Sequence, residues 1–434
     1  MRSPILLGQY GPVHDRGQVW DERDGVADDH VDPDVRRWAA SGGMFLTGPS
    51  DGPGLGPPER LIPLLDHLAA RIAAASGALG HAVSIDPIAV ISARAASLGL
   101  TRRGALSCGG ASRLLPTADG WVALTLARAD DVELVPALTG RPYGPEPWRA
   151  VERFCAEHRS DEVVERAVLL GLAVGAWTPD DPAATPSSAA TGFATEQSGP
   201  PARSRPVEAT VVDLSALWAG PLCTRILADA GCRVLKVESI HRPDGARQGT
   251  TELFDQLHHG KANVALDFST TSGRQQLADL VARADVVVEG SRPRALRQLG
   301  IDVFDMVTRG PQLWTSITGH GWTAAPDRIG FGDDAAIAGG LVVTDGDRPY
   351  FCADAIADPL TGLMAAAHTL ESLAVGGRWH VDVALSAVAA LGAGPTRAVP
   401  DGIEASPPAR LAAGPAAAPL GADTARVLQR RGGA

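Results

Sequence analysis

Three groups of residues in this chain have types and spacing suited to chemistry. The first is Asp358, directly before Pro359 at the head of IADPLTGLMAAAHTLESLA. Asp before Pro reads as an N-cap followed by the first helical residue. A cap of that kind stabilises a helix by about 1 kcal/mol, which is reason enough for the residue. The same place keeps a carboxylate ionised, and an ionised carboxylate can attack a thioester carbonyl. The second group is Arg292, Arg294 and Arg297 in SRPRALRQLG, just after an apolar run. Open α/β sheets bind ligands outside the carboxyl ends of their strands, so a diphosphate or ribose phosphate could dock there. The third is Lys236 and Lys261, the sole lysines in an arginine-rich chain. Each also reads as a surface cation with its stem laid along apolar neighbours.

The elements that must position these groups are legible from residue 207 onward. ATVVDL, CRVLKVE, NVALDF, ADVVVE and LWTSIT read as strands, while AGPLCTRILADAG and TSGRQQLADLVARA have helical spacing. Alternation of this kind implies right-handed crossovers and a parallel sheet, hence an α/β fold. Upstream, residues 60–76 and 150–171 have helical spacing, and WVALTLA reads as a strand entered from the Asp119-Gly120 turn. The expected organisation is a first segment at 1–177, a flexible Ser/Thr/Pro/Gly linker at 178–206 and a ligand-binding α/β domain at 207–390. A Pro/Ala/Gly-rich stretch at 391–418 and a final helix at 419–434 follow. A faint internal echo links WAASGGMFLTGPSDGP at 38–53 with DAAIAGGLVVTDGDRP at 334–349.

Composition narrows the partners. The 434 residues are 45% hydrophobic and 21% charged, an ordinary globular balance with roughly two to three domains' worth of chain. The net charge of −11, with no basic block, argues against nucleic acid. No apolar run reaches the ~18 residues of a membrane span, and the first residues lack the order of a signal peptide, so a cytoplasmic setting is expected. Cys108, Cys155, Cys223, Cys232 and Cys352 show no CxxC and no metal-ligand spacing, so they read as reduced and structural. The loop SALWAGP after the first strand lacks GxGxxG, which disfavours a dinucleotide although Glu238 ends the second strand.

Several motifs together resemble family III (CaiB/BaiF-type) CoA-transferases. VVDLSALWAGPLCTRILADAGCRVLKVE, HHGKANVALD, ADVVVEGSRPRALRQLG, TGHGWTAAP, IADPLTGLMAA and GRWHVDVALS occur in that family's order, with PLGADTARVLQ like its closing helix. The resemblance implies a Rossmann-like parallel sheet flanked by helices, a smaller α+β domain and an interlocked homodimer. It makes Asp358 the nucleophile, with coenzyme A as a substrate rather than a tightly bound cofactor, and a carboxylic acid as the acceptor. It directs CoA to Leu217, Trp218, Ala219, Arg242, Lys261, Arg292, Arg294 and Arg297. Oxyanion or acid–base support falls to Gly109 and Gly110 of Ser107-Cys108-Gly109-Gly110, to His320 and to Asp333; Gly109 and Gly110 also read as an ordinary turn, and His320 as a packed loop histidine. LLPTADGWVALTLARADDVELV resembles the family's small domain. The chain therefore looks like the tail of one family repeat fused to the CoA-binding front of a second, with one active site.

Departures from the family pattern keep two other readings open. The usual Glu-Asn-Phe is Glu289-Gly290-Ser291, and the usual Gly-Phe-Gly-Gln is Gly319-His320-Gly321-Trp322. Acyl-CoA racemases of the same family pair the aspartate with a His in Gly-His-Asp; here that segment is Gly332-Asp333-Asp334. The other reading is a CoA-binding or structural partner without catalysis.

Overall fold

The computed structural model describes residues 31–142, 144–179, 194–196, 209–303, 305–306, 310–410 and 414–429. A three-stranded antiparallel sheet in the first half joins Ser112–Pro116 (β1), Trp121–Thr125 (β2) and Ala173–Trp177 (β3). The large sheet comprises Ala194–Glu196 (β4), Thr210–Asp213 (β5), Arg233–Ser239 (β6), Ala262–Leu266 (β7), Val286–Glu289 (β8), Leu313–Thr318 (β9) and Trp379–Ala384 (β12). Its order is β4-β12-β9-β8-β5-β6-β7. Six of these strands run parallel, and β4 alone is antiparallel at the edge. A hairpin of Val342–Asp345 (β10) and Arg348–Phe351 (β11) precedes the Asp358 helix. The expected Rossmann-like α/β architecture with a smaller α+β unit is present.

The parallel strands are almost continuously apolar because both faces are covered. One face carries Val211, Val288 and Val383 and packs on the helix Ala219–Asp229 and the helix Ala357–Val375. The opposite face carries Val212, Val237, Val287 and Trp314 and packs on the helix Thr271–Arg283. The Asp358 helix is buried nearly all round, which its run of Gly362, Ala365, Ala366 and Ala367 permits. A β-carbon on Gly362 would stand 2.7 Å from the Ala219 carbonyl oxygen, so only glycine lets the two helices meet this closely.

The first half of the chain packs onto the same helix. Leu61, Leu65, Leu68 and Ile72 of the helix Leu61–Ala78 share one core with Leu360, Leu363 and Met364. Arg71 also donates to both carboxylate oxygens of Glu371 at 2.7 Å. The helix Pro87–Leu98 is capped by Asp86, which accepts from the Ile88 and Ala89 amides, and it ends at Gly99 with φ 63°. At Gly175 in β3 a β-carbon would collide with the Asp334 carbonyl of the helix Gly332–Ala338. Gly175→Ala is therefore expected to lower stability by about 1–3 kcal/mol in urea unfolding, because that helix must move away. An unchanged midpoint would show that the two backbones are not in contact there.

Several expectations are corrected. The helical stretch at 150–171 is two helices, Pro147–Glu157 and Ser160–Leu169, because the backbone is extended at His158 and Arg159. Within the expected linker, Ala194–Glu196 pairs with β12; the rest of 180–208 lies outside the described residues, as do the first 30. The internal echo fails in structure, since Met44–Leu46 forms a 3-10 turn where its counterpart leads into β10. Lys236 and Lys261 are not surface cations, for both are buried. All five cysteines are free and buried. Among the described residues no helix is long and apolar enough to cross a membrane, and no His/Cys/Asp/Glu cluster suits a metal ion.

Candidate active site

Asp358 lies in the first turn of the helix Ala357–Val375 but does not cap it. Ile356 occupies the cap with helical angles and no side-chain hydrogen bond. The chain has already turned upstream, where the Asp358 amide donates to the Ala355 carbonyl at 3.0 Å and Ala355 sits at φ 45°. The carboxylate of Asp358 is thereby released from capping. The Gly332 amide and the charged groups Arg94, Asp333 and Asp354 lie near enough to act on it. Burial pushes its carboxyl up to about 7; Arg94 opposes the rise, while Asp333 and Asp354 add to it.

Asp333 arrives from the helix Gly332–Ala338. Its Oδ2 accepts from the Ser112 hydroxyl of β1 at 3.1 Å and its Oδ1 from the Ala355 amide at 3.0 Å. Its neighbour Asp334 is fully buried, with Oδ1 accepting from Thr125 at 3.0 Å and from the Phe331 amide at 3.1 Å. Burial carries Asp334 to about 8, so at neutral pH it is largely a protonated, structural acid. Arg94 comes from the first half of the chain and donates to Asp354 Oδ1 at 2.7 Å. Gly109 lies against Arg94: a β-carbon there would stand 2.8 Å from Nη2.

The structure brings Asp333, Gly109 and Asp358 into one region, as expected from the sequence. Gly110 is corrected, because its amide donates to the Ser107 carbonyl at 2.9 Å and is closed to an oxyanion. His320 packs against Gly330, and burial lowers it to about 3, so it is a neutral loop histidine. Arg94, Asp354 and Gly332 were not singled out from sequence. Only the Ala-Asp-Ala-Ile-Ala-Asp spacing, with two acids one helical turn apart, hinted at Asp354.

The expected CoA-binding residues divide into three sets. Leu217 is exposed at φ 69°, its amide donating to Asp244 Oδ1 at 3.0 Å, while Trp218 and Ala219 are buried at the start of the next helix. Arg242, Arg294 and Arg297 are exposed and Arg292 is half-buried. Burial together with Arg294, Arg128 and Arg242 depresses Arg292, so four guanidinium groups share one region. Lys261 leaves the set. Its ammonium donates to Thr224 Oγ1 at 2.7 Å, the Pro221 carbonyl at 3.0 Å and Asp213 Oδ2 at 3.2 Å, all inside the core. A separate cavity of about 510 Å³ opens between Trp177, Gly340, Thr344 and Thr396. Asp358 does not line it; the carboxylates in its lining are Glu59 and Asp347.

The fold and site define a Rossmann-like α/β protein whose helix-borne carboxylate is met by a guanidinium from a distant part of the chain. Residues 208–418 match the model of CoA-transferase family III, and this part of the chain belongs to that family. An acyl-CoA transferase of Fusarium pseudograminearum is 30% identical over 183 residues, which are 38% of this chain and 40% of that protein. The succinyl-CoA–D-citramalate CoA-transferase of Chloroflexus aurantiacus is 31% identical over 175 residues, 38% of this chain and 44% of that one. The chain spans less than half the length of these curated relatives. A CaiB/BaiF family protein of Brucella suis, of known crystal structure, is 30% identical over 43% of this chain and 54% of its own, with a TM-score of 0.38.

Proposed function

We propose that this chain transfers coenzyme A between an acyl-CoA and a carboxylic acid through a covalent intermediate on Asp358. The observation that carries the reading is the Asp358 carboxylate itself. It sits in the first turn of a buried helix, has Arg94 among the charged groups that act on it, and is not used as a cap.

The chemistry follows from that carboxylate. An Asp358 oxygen attacks the thioester carbonyl, the C–S bond breaks, and CoA leaves as thiolate with a mixed anhydride behind it. The thiolate attacks the aspartyl carbonyl, releasing the donor carboxylate and leaving an aspartyl-CoA thioester. An acceptor carboxylate then attacks that thioester, and the thiolate returns to the acceptor's acyl carbon, regenerating free Asp358. Each step exchanges one acyl bond for another, so the thioester's energy is kept. The Leu217–Ala219 loop and the arginines at 242, 292, 294 and 297 form the proposed CoA surface. Its positive charge suits the phosphates and its exposed Leu217 an apolar arm.

Attack requires the ionised carboxylate, and Asp358 is raised to about 7. Adduct formation is therefore expected to climb with pH between about 6 and 8 and then level off. Intact-mass spectrometry after a brief incubation with acetyl-CoA or succinyl-CoA, repeated across pH, reads this directly. A covalent CoA adduct mapping to Asp358 supports the transferase. CoA bound without an adduct points to proton transfer at the α-carbon, with Asp333 as the second acid, or to a binding role alone.

A further inference from the structure

The turn Cys352–Ile356 leads into the Asp358 helix with two alanines at left-handed angles, Ala353 at φ 52° and Ala355 at φ 45°. L-residues other than Asn and Asp rarely take this conformation, and it persists only where surroundings impose it. Here the impositions are visible. The Ala353 amide donates to Thr47 Oγ1 at 2.9 Å, and its carbonyl accepts from Cys108 Sγ at 3.5 Å. The Ala355 amide donates to Asp333 Oδ1 at 3.0 Å. What the strained turn accomplishes is to aim Asp354 inward, where it is 0% exposed. Its Oδ1 meets Arg94 at 2.7 Å, and its Oδ2 is a buried acceptor without a hydrogen-bond partner. A buried polar atom left in this state calls for a reason beyond packing.

We propose that Arg94 is a positioning residue for Asp358, held in place by the buried carboxylate of Asp354, so that the first half of the chain enters the reaction through this guanidinium. The groups facing Asp358 come from three elements: Arg94 on Pro87–Leu98, Asp333 on Gly332–Ala338, and Asp354 in the turn. Cys108 adjoins the cluster and burial keeps its thiol protonated. Three carboxylates crowded together would hold protons in common, and a cation among them lets more than one ionise. Arg94 feels all three acids, and its own ionisation is favoured by them against the cost of burial. Without Asp354, Arg94 would lose its closest anchor; without Arg94, Asp354 would become an unpaired charge beside the nucleophile.

The inference rests on Asp358 as the nucleophile, so its test has one readout that needs no substrate. The protein carrying ¹³C-carboxyl-labelled aspartate is titrated by NMR, with Asp358 assigned through Asp358→Asn. The variants are Arg94→Gln, Arg94→Lys, Asp354→Asn and the Arg94→Gln/Asp354→Asn pair, each checked for an intact melting transition. Arg94→Gln should move the Asp358 midpoint to higher pH by about a unit or more, and Arg94→Lys should restore part of it. Asp354→Asn should move it to lower pH, since a like charge is gone, and the double variant should fall between. The pH profile of adduct formation with acetyl-CoA should shift in parallel. Single variants that move the midpoint in the same direction, or a folded Arg94→Gln with no shift, overturn the proposal. If Arg94→Gln does not fold, Arg94→Lys and Asp354→Asn carry the same comparison. Shifts as expected in a protein that forms no adduct would uphold the positioning role and remove the transferase reading instead.

Discussion

Asp358→Asn is expected to abolish the covalent CoA adduct and reduce turnover by about 10³–10⁶-fold, the scale on which loss of a nucleophile acts. The amide keeps the shape of the carboxylate, but it cannot attack a carbonyl. The same change should make the fold more stable at alkaline pH. Asp358 is raised from its ordinary 3.8 to about 7, so the folded state binds its proton more tightly than the unfolded chain does. Stability is then lost as pH rises from about 4 through about 7, because the unfolded state sheds the proton first. Asparagine removes that loss. A rise from 3.8 to about 7 corresponds to about 4 kcal/mol at pH 8, and the gain should vanish below about pH 4. Urea unfolding of both proteins at several pH values measures it. A variant less stable than its parent at pH 8 would mean that the carboxylate serves the fold as a partner for Arg94, which contradicts a site arranged for reactivity.

Asp213→Ala should be the most damaging change away from Asp358. Asp213 ends β5 and accepts from Ser215 Oγ at 2.5 Å, Thr224 Oγ1 at 2.6 Å and Lys261 Nζ at 3.2 Å. Burial alone would raise its carboxyl, yet Lys261 and Lys236 outweigh burial and hold it well below the ordinary carboxylate range. Lys236 in turn donates to Asp244 Oδ2 at 2.9 Å and to the Ser215 carbonyl. Removing Asp213 leaves Lys261 buried without its counter-ion, which costs about 3–5 kcal/mol. The expected defect depends on pH. Burial already pulls Lys261 to about 8, and without the carboxylate it should fall further and lose its proton near neutrality. The variant should therefore be hurt more at pH 6 than at pH 9, as urea midpoints would show. Because Asp244 also accepts from the Leu217 amide, the loop proposed to meet CoA should loosen and KM for acyl-CoA should rise. A loss of under 1 kcal/mol would mean that water reaches these groups.

Much of the α/β half was legible in the sequence. TVVD, RVLKVES, ANVAL, VVVE and LWTSIT are strands over nearly the spans their apolar runs suggest, because burial on both faces leaves a local signature. Their pairing partners have no such signature. The helix Pro87–Leu98 also carries local signals, with Asp86-Pro87 opening it and Gly99 closing it. The chemistry of Lys261 was misread for a physical reason: an ammonium is costly to bury, and only the meeting of Asp213, Thr224 and the Pro221 carbonyl makes that place tolerable.

The Asp-Pro pairs separate the two kinds of information. At Asp32-Pro33 and Asp86-Pro87 the local rule holds, and each aspartate caps the helix that follows. At Asp358-Pro359 the same dipeptide lies inside the first turn with no cap bond. The sequence by itself determined that a helix starts there, that a carboxylate rides in its first turn, and that a parallel sheet supports it. Those outcomes follow from φ restriction at proline, small-residue runs and apolar periodicity, all local properties. Tertiary structure alone decided that the carboxylate would be left uncapped among other charged groups. Thr47, Cys108 and Asp333 bend the preceding turn into left-handed alanines, and Arg94 arrives from the other half of the chain, contacts that no local pattern encodes.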